Sequence, residues 1–282
     1  MAVDFEREKR WWDEKAPKEE RDGADQPVNR ALRWREIDRR LDGVTTILDV
    51  GAATGAFSIP LAKRGFEVTH FDLSTEAIAI AQSKATGLSN IRFVKGNAID
   101  LSQFRDGEFD LVLNLDGAVS FCGEYADLSL SESARVAGST LIVTVLNRAR
   151  MTAVWVGNCF GVNGGQLVRT VDAMFEHGHW NQDQYPENAM LAGGCTQGYL
   201  GTIRAYTRDE LAERIQGLGL RVIRCTGLGS LVGLIEPDRV QEICASDKFE
   251  EFIRYSERFD LEMLPDGPGT RQRAGLIAVA ER

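Results

Sequence analysis

The sequence predicts an α/β fold in which helices cover both faces of a mostly parallel, doubly wound sheet. An apolar segment at 46–50 runs into a glycine turn, a helical pattern follows at 56–64, and a second strand at 67–71 ends in Asp72. This order of strand, turn, helix and strand is a βαβ unit typical of nucleotide-binding folds. Because ligands of open α/β sheets bind outside the carboxyl ends of the strands, we expect a ligand site at the glycine turn and Asp72.

The later elements continue the alternation of strand and helix. Further strands are predicted at 90–94, from Phe109 to about Asn114, and at 139–146, 220–226 and 276–280. A helical pattern occupies 125–136, and another begins after Thr207, a candidate N-cap with Glu210 at the capping-box position.

Length and charge narrow the classes of function. A chain of 282 residues fits one large domain, or one domain with insertions. Its formal net charge of −9 argues against a nucleic-acid substrate, because proteins that hold phosphate backbones generally carry a basic field. The densest basic segment, 30–40, mixes acids with bases and is interpreted as a solvated helix face rather than an RNA contact.

The five cysteines are scattered and form no Cys-x-x-Cys pair, which predicts free thiols in a reducing cytoplasm. The charged first ten residues resemble no secretory signal. No apolar run approaches the roughly 20 residues of a membrane helix, so we expect no membrane partner.

The spacing of the glycines distinguishes between adenosine ligands. A dinucleotide fingerprint counted from Gly51 would need glycines where Ala53 and Ala56 stand. The chain reads Asp49-x-Gly51-x-Ala53-x-Gly55 instead, which resembles the acidic-x-Gly-x-Gly-x-Gly signature of class I S-adenosylmethionine (SAM) methyltransferases. A dinucleotide site and a glycine turn that binds nothing are the alternatives.

The resemblance covers about 44–147 strongly and about 203–227 moderately. It implies a seven-stranded, mostly parallel, doubly wound sheet of the class I methyltransferase type with inserted cap elements, and SAM as cofactor with S-adenosylhomocysteine as product. Asp72 would bind the ribose hydroxyls, Asp49 the amino-acid end of SAM, and the loop 96–98 the adenine. The cofactor-binding residues implied in this way are Asp49, Gly51, Ala53, Gly55, Asp72, Leu73, Asn97, Ala98 and Asn114.

Additions to this minimal fold suggest how the chain is organised. We expect a lid helix at 1–42, a SAM-binding core at 43–147, an inserted substrate cap at 148–202, and the rest of the core at 203–282. The cap is expected to be helical at 151–156 and 167–175 and loop-like at 176–198. A second helical insertion, at about 228–274, is interpreted as a further cap or as a homodimer contact.

Aromatic residues in these additions are candidates for binding the acceptor. Trp11 and Trp12 could close over the cofactor and the acceptor, or merely fix the segment to the domain. Trp180 and Tyr185 could hold an aromatic or cationic acceptor.

His177 and His179 are candidate general bases in the cap, and Asp116 after the fourth strand is the third catalytic candidate. The alternative for both histidines is a surface or packing role, with Tyr206 as a further candidate base. Their spacing matches no zinc pattern, so no metal is expected. His70, inside the second strand, is interpreted as structural.

The sequence therefore predicts a SAM-dependent methyltransferase that acts on nitrogen or oxygen of a small-molecule metabolite or natural product, with carbon also open. An RNA or protein methyltransferase is the alternative among enzymes, and a non-catalytic SAM-binding regulator is the alternative from another class. The acidic charge and the aromatic-rich insertion favour a small pocket over a macromolecular groove.

Overall fold

The computed structural model describes residues 3–18, 26–115, 117–162, 168–181, 202–270 and 275–282. The strands are β1 (Thr46–Val50), β2 (Glu67–Asp72), β3 (Ile91–Lys95), β4 (Phe109–Asn114), β5 (Ala137–Asn147), β6 (His179–Asn181), β7 (Thr202–Tyr206), β8 (Arg221–Gly227) and β9 (Leu276–Glu281). The helices are α1 (Phe5–Lys15), α2 (Gln26–Asp38), α3 (Ser58–Lys63), α4 (Thr75–Lys84), α5 (Ala118–Phe121), α6 (Ala126–Val136), α7 (Arg148–Val162), α8 (Val168–Glu176), α9 (Arg208–Gly217), α10 (Ser230–Gly233), α11 (Pro237–Cys244) and α12 (Phe249–Glu262).

Seven strands form the body of the sheet in the order β3-β2-β1-β4-β5-β9-β8. The first five are parallel, and β9 is antiparallel to both of its neighbours. This confirms the predicted mostly parallel sheet of the class I methyltransferase type.

A two-stranded extension continues from the carboxyl end of β5, where Leu146 and Asn147 pair in parallel with Ala205 and Tyr206 of β7. Strand β6 then pairs antiparallel with β7. The prediction of a loop at 176–198 is therefore wrong at His179–Asn181, which forms β6.

Apolar layers cover both faces of the sheet, as expected for parallel strands buried on two sides. Alternate residues of β1 enter different layers, with Leu48 on one face and Ile47 on the other. The layer around Leu48 takes its helical residues from α5, α6 and α9, including Leu130, Leu211 and Ile215. The layer around Ile47 takes its helical residues from α2, α3, α10, α11 and α12, including Leu32, Leu61 and Ile253.

Two local features fix the later helices. Thr207 Oγ1 accepts the Glu210 N–H at 3.2 Å and the Glu210 side chain reaches back to the Thr207 N–H, which confirms the predicted capping box. Further along, α2, β8 and α12 are joined by arginines around two carboxylates: Glu257 pairs with Arg35 at 3.0 Å and with Arg224 at 2.9 Å, and Glu36 also pairs with Arg224.

Candidate active site

A cavity of about 570 Å³ lies outside the carboxyl ends of the parallel strands. Residues at or just beyond the ends of five strands line it, namely Gly51, Asp72, Gly96, Leu115 and Leu146. Helix α1 covers the cavity from the other side with Phe5, Glu8, Trp11, Trp12 and Lys15. At the ligand edge predicted from the sequence there is thus a cavity between the sheet and the first helix.

The turn after β1 brings backbone to the cavity wall. Gly51, Ala53 and Gly55 all have positive φ, at 69°, 47° and 88°. A Cβ atom at Gly51 would lie 2.5 Å from the Cβ of Ala118, so a side chain does not fit there. Ala53 adopts a left-handed conformation that glycine adopts more readily, and among the described residues it is the only non-glycine to do so.

Asp72, at the end of β2, holds this turn in place. Its Oδ2 accepts the Ala53 N–H at 2.8 Å, and its Oδ1 accepts the Ser74 N–H at 2.7 Å. Burial raises the pKa of Asp72, although the backbone hydrogen bonds from Ser74 and Ala53 oppose that effect. Hydroxyl donors of a ribose would stabilise such a buried carboxylate further.

The loop after β3 forms the neighbouring wall. Gly96, Asn97 and Ala98 line the cavity beside Leu73. A Cβ atom at Gly96 would lie 2.3 Å from the ring of Phe71, so this wall again requires glycine. The backbone can therefore approach a planar ligand closely here.

Helix α1 is attached through Asp13 to the side of the cavity formed by Asp72 and Ser74. Asp13 Oδ1 accepts the Ser74 hydroxyl at 2.7 Å and the Glu76 N–H at 3.3 Å. Burial raises the pKa of Asp13, but hydrogen bonds from Lys9, Ser74 and the Glu76 N–H outweigh it, so the pKa is lowered overall.

Aromatic rings close the space beneath α1. Trp11 and Trp12 meet edge to face with centroids 4.5 Å apart, and Trp12 meets Phe121 edge to face at 4.9 Å. Lys15 Nζ lies 5.2 Å from the centroid of the Trp11 ring, a cation–π contact.

Three charged side chains besides Asp72 and Lys15 line the cavity. Glu8 is buried, and its Oε1 accepts the Thr202 N–H at 3.0 Å. Arg33 comes from α2 and Arg150 from α7. Burial also raises the pKa of the Cys122 thiol to about 12, so this lining group is uncharged at neutral pH.

Sequence reasoning missed these charged groups. Glu8 precedes Trp11 and Trp12 by three and four positions, a spacing that places all three on one side of a helix. From that spacing, Glu8 could have been identified as a candidate site residue beside the two tryptophans. Nothing in the sequence distinguishes Arg33 or Arg150 from the other arginines of their helices.

Three predicted cofactor residues lie behind the wall. Asp49 is buried, and its Oδ2 accepts the Ser58 N–H at 3.1 Å. The Asn114 amide donates to Ser133 Oγ at 3.0 Å. Gly55 supplies turn geometry, since its φ is positive. None of these three is among the residues that line the cavity.

The structure does not bring the two candidate histidines to the cavity wall. His177 is exposed, with its Nε2 3.3 Å from Glu176 Oε2. His179 lies on β6, where burial and the nearby Arg204 lower its pKa to about 4.

Trp180 and Tyr206 also lie apart from the lining. Trp180 is buried in a separate apolar cluster, stacked on Trp155 with centroids 5.0 Å apart. The Tyr206 hydroxyl donates to Asp127 Oδ1 at 3.0 Å, and burial raises its pKa.

Two further candidates, Asp116 and Tyr185, lie outside the described residues. His70 is buried, its Nδ1 lies 2.8 Å from Ser58 Oγ, and burial lowers its pKa to about 4. These contacts give His70 a structural position beneath the turn.

Comparison with known proteins agrees with this geometry. Residues 47–138 match the family described as a methyltransferase domain. The chain is 38% identical over 87 residues to the putative methyltransferase YqeM of Bacillus subtilis, covering 31% of this chain and 34% of that protein. It is 32% identical over 132 residues to human EEF1A lysine methyltransferase 2, covering 43% and 55%.

A third relative is the magnesium-protoporphyrin O-methyltransferase of Synechocystis, 32% identical over 132 residues that cover 45% of this chain and 55% of that protein. The chain thus spans between about a third and just over half of the length of these curated relatives.

Solved structures share the fold over most of the chain. A SAM-dependent methyltransferase from Methanosarcina mazei matches with a TM-score of 0.53 at 18% identity, covering 87% of this chain and 96% of that one. Magnesium protoporphyrin IX methyltransferase from Synechocystis, with bound S-adenosylhomocysteine, matches with a TM-score of 0.50 at 19% identity, covering 91% and 82%. The family uses SAM as its cofactor. Residues 47–138 thus match a methyltransferase domain, and the chain shares the fold of class I SAM-dependent methyltransferases over most of its length.

Proposed function

We propose that this protein transfers the methyl group of SAM to a nitrogen or oxygen atom of a small-molecule metabolite or natural product. The observation that supports this most is the single cavity shared by the strand-end loops and the aromatic residues of α1. In this proposal a cofactor half and an acceptor half share one cavity, whose volume lies in the range usual for small ligands, about 300–1,000 Å³.

The residues of the cofactor half fit SAM. The buried Asp72 carboxylate is positioned for ribose hydroxyls, and the loop of Asn97 and Ala98 for adenine. Gly51 and Gly96 line the cavity without a side chain, so a ligand can approach the backbone closely there. The guanidinium of Arg33 or Arg150 would pair with the carboxylate of the methionine portion of SAM. When bound, SAM supplies a methyl group already activated on a sulfonium.

The protein would contribute to catalysis by positioning the acceptor against the methyl group and by excluding water. Helix α1 is held on the cofactor side by the contact of Asp13 with Ser74, and at β7 by the contact of Glu8 with Thr202. A helix held on both sides covers the cavity and limits the size of the acceptor. We therefore propose that α1 acts as a lid that opens for exchange of ligands.

The organisation predicted from the sequence is part of this proposal: a lid at 1–42, a core at 43–147, a cap at 148–202 and the remaining core at 203–282. Curated relatives include both a porphyrin and a protein lysine methyltransferase. The covering helix and the net charge of −9 favour a small acceptor over protein or RNA.

The experiment is a transfer assay with methyl-tritiated SAM. The protein is incubated with three fractions of one cell extract. One contains metabolites that pass a filter retaining molecules too large for the cavity, and the other two contain proteins and RNA. We expect labelled product in the metabolite fraction. Label confined to the protein or RNA fraction would contradict a small acceptor, and SAM binding without any labelled product would favour a non-catalytic SAM-binding protein.

None of the helices in the described part of the chain is long and apolar enough to cross a membrane.

A further inference from the structure

Glu8 and the rings around it form an acidic, aromatic corner in the acceptor half of the cavity. Glu8 is 2% exposed and lies on α1 together with Phe5, Trp11 and Trp12, all of which line the cavity. Phe121 completes the corner, with its ring centroid 4.9 Å from that of Trp12 and 6.4 Å from that of Trp11.

We propose that Glu8 is the acceptor-specificity residue and selects an amine, bound as its ammonium ion against Glu8 and the aromatic rings of Trp12 and Phe121. This inference rests on the proposed methyl transfer to a small molecule and names its substrate class. A cation is attracted both by a carboxylate and by the negative face of an aromatic ring.

The hydrogen bond of Glu8 is compatible with a binding role. The Thr202 N–H donates to Oε1 at 3.0 Å, so a backbone donor of β7 fixes the position of the carboxylate of this cavity-lining residue. A carboxylate has lone pairs for about four hydrogen bonds, so this bond is compatible with an additional bond to a ligand.

The neighbouring groups define the charge that this corner can accept. Cys122 lines the same region, and its thiol is uncharged because burial raises its pKa to about 12. Lys15 Nζ lies 5.2 Å from the Trp11 centroid, so a cation of the chain itself already occupies a face of that ring and the ligand is assigned to the other two rings. Arg33 and Arg150 enter from α2 and α7, and we assign them to the donor carboxylate instead.

The charge balance of the reaction also favours an amine. The bound ammonium ion first releases one proton to solvent. The neutral amine nitrogen then forms a bond to the methyl carbon while the methyl–sulfur bond breaks, and the electron pair of that bond stays on sulfur. The positive charge moves from sulfur to the alkylated nitrogen, so the product is again an ammonium ion. The corner around Glu8 therefore faces a cation before and after transfer, whereas a neutral alcohol would lose its proton and leave no charge for Glu8 to bind.

The test uses the protein loaded with S-adenosylhomocysteine. Two probes that share a carbon skeleton are compared: benzylamine, which is cationic at pH 7, and benzyl alcohol, which is neutral. Tryptophan fluorescence follows binding, since two indole rings lie in the corner. We expect benzylamine to bind at least about tenfold more tightly than the alcohol, the factor expected for one charge-assisted bond.

The matched variants separate recognition from a structural role. Glu8→Gln keeps an oxygen for the Thr202 N–H but removes the charge, and should abolish the preference for the amine. Glu6→Gln makes the same change on an exposed position of the same helix and should leave the preference intact.

Equal binding of the two probes, binding of neither, or a preference that survives in Glu8→Gln would overturn the inference. In the last case Glu8 would only attach α1 to β7. Failure of S-adenosylhomocysteine to bind at all, measured separately by calorimetry, would instead reject the proposed function.

Discussion

The Ser74 hydroxyl donates a 2.7 Å hydrogen bond to Asp13 Oδ1, and the Ser74 N–H donates one of the same length to Asp72 Oδ1. Ser74 therefore joins the covering helix to the carboxylate proposed to bind the ribose. Because these bonds share one residue, the position of α1 and the state of the cofactor site are expected to be coupled.

The first prediction concerns this contact. Asp13→Ala should free the end of α1, and amide hydrogen exchange across residues 5–15 should become several-fold faster, since a partly exposed charged hydrogen bond contributes about 1 kcal/mol. Glu14→Ala, an exposed change on the same helix, is the control. Unchanged exchange in Asp13→Ala would mean that other contacts hold the helix.

The same contact predicts a pH dependence. The pKa of Asp13 is lowered in the folded protein, because hydrogen bonds outweigh the opposing effect of burial. The contribution of Asp13 to the stability of this contact is therefore fully present above the ordinary pKa of 3.8. It is lost as the pH falls through the lowered pKa of the folded protein. As the pH falls below the lowered pKa, amide hydrogen exchange in α1 should accelerate in the natural protein. The acceleration should be smaller in Asp13→Ala.

The second prediction compares two positions of the turn after β1. Gly51→Ala introduces both a left-handed alanine and a contact of 2.5 Å with Ala118, and should lower the free energy of unfolding by about 2 kcal/mol or more. Ala53→Gly relieves a left-handed alanine but makes the unfolded chain more flexible, so the net change should lie between zero and a gain of about 1 kcal/mol. Urea denaturation measures both, and a clear loss of stability in Ala53→Gly would show that the Ala53 methyl group packs favourably.

The third prediction concerns the cap histidines. His177→Ala and His179→Ala should each change kcat by less than about threefold, because neither side chain lines the cavity, whereas loss of a general base typically costs about 10²–10⁴-fold. Steady-state kinetics of methyl transfer would decide this. A decrease of the larger size in either variant, with SAM affinity intact, would restore the histidine as the base.

The fourth prediction concerns the ion pairs that join α2, β8 and α12. Glu257→Ala removes the partner of Arg35, Arg39 and Arg224, and should lower the free energy of unfolding by about 1–3 kcal/mol. Glu250→Ala, exposed on the same helix, should change it by less than about 0.5 kcal/mol. Equal stability of the two variants in urea would contradict a stabilising role for these pairs.

These ion pairs also predict an acid-sensitive stability. Burial raises the pKa of Glu257, but the hydrogen bonds from Arg39, Arg224 and Arg35 outweigh it and lower the pKa to about 2. The contribution of Glu257 is present above its ordinary value of 4.5 and is lost as the pH falls toward 2. The stability difference between the natural protein and Glu257→Ala should shrink across that range.

Much of the sheet could be predicted because parallel strands are continuous apolar runs that end in glycine or polar residues. β1 and β4 begin where the sequence indicates, and the bounds of β2, β3, β8 and β9 agree within one residue. β7 was not predicted, because Arg204 stands in its middle. That residue is buried only because Glu210 pairs with it and its guanidinium lies 4.6 Å from the Tyr206 ring centroid, partners that follow from the tertiary structure.

The site divides in a similar way. Gly51, Asp72 and Asn97 lie where strand order alone predicts, since the carboxyl ends of parallel strands share one edge. The placement of His177 and His179 depends on how α8 turns into β6, and that of Glu8 on how α1 docks across the sheet. Long-range packing decides both placements. The local spacing groups Glu8 with Trp11 and Trp12 on one side of α1, but it does not place that side on the cavity.

The most direct test of the account is calorimetric titration of the natural protein and Asp72→Asn with S-adenosylhomocysteine and with NAD. We expect the natural protein to bind S-adenosylhomocysteine and not NAD, and the variant to bind at least about tenfold more weakly, because charge-assisted hydrogen bonds contribute about 1.5–3 kcal/mol. Asp100→Asn, an exposed carboxylate away from the cavity, controls for the change of charge and should bind normally. Undiminished affinity in Asp72→Asn, or tighter binding of NAD than of S-adenosylhomocysteine, would contradict the central claim that the loops at Gly51 and Asp72 form a SAM site.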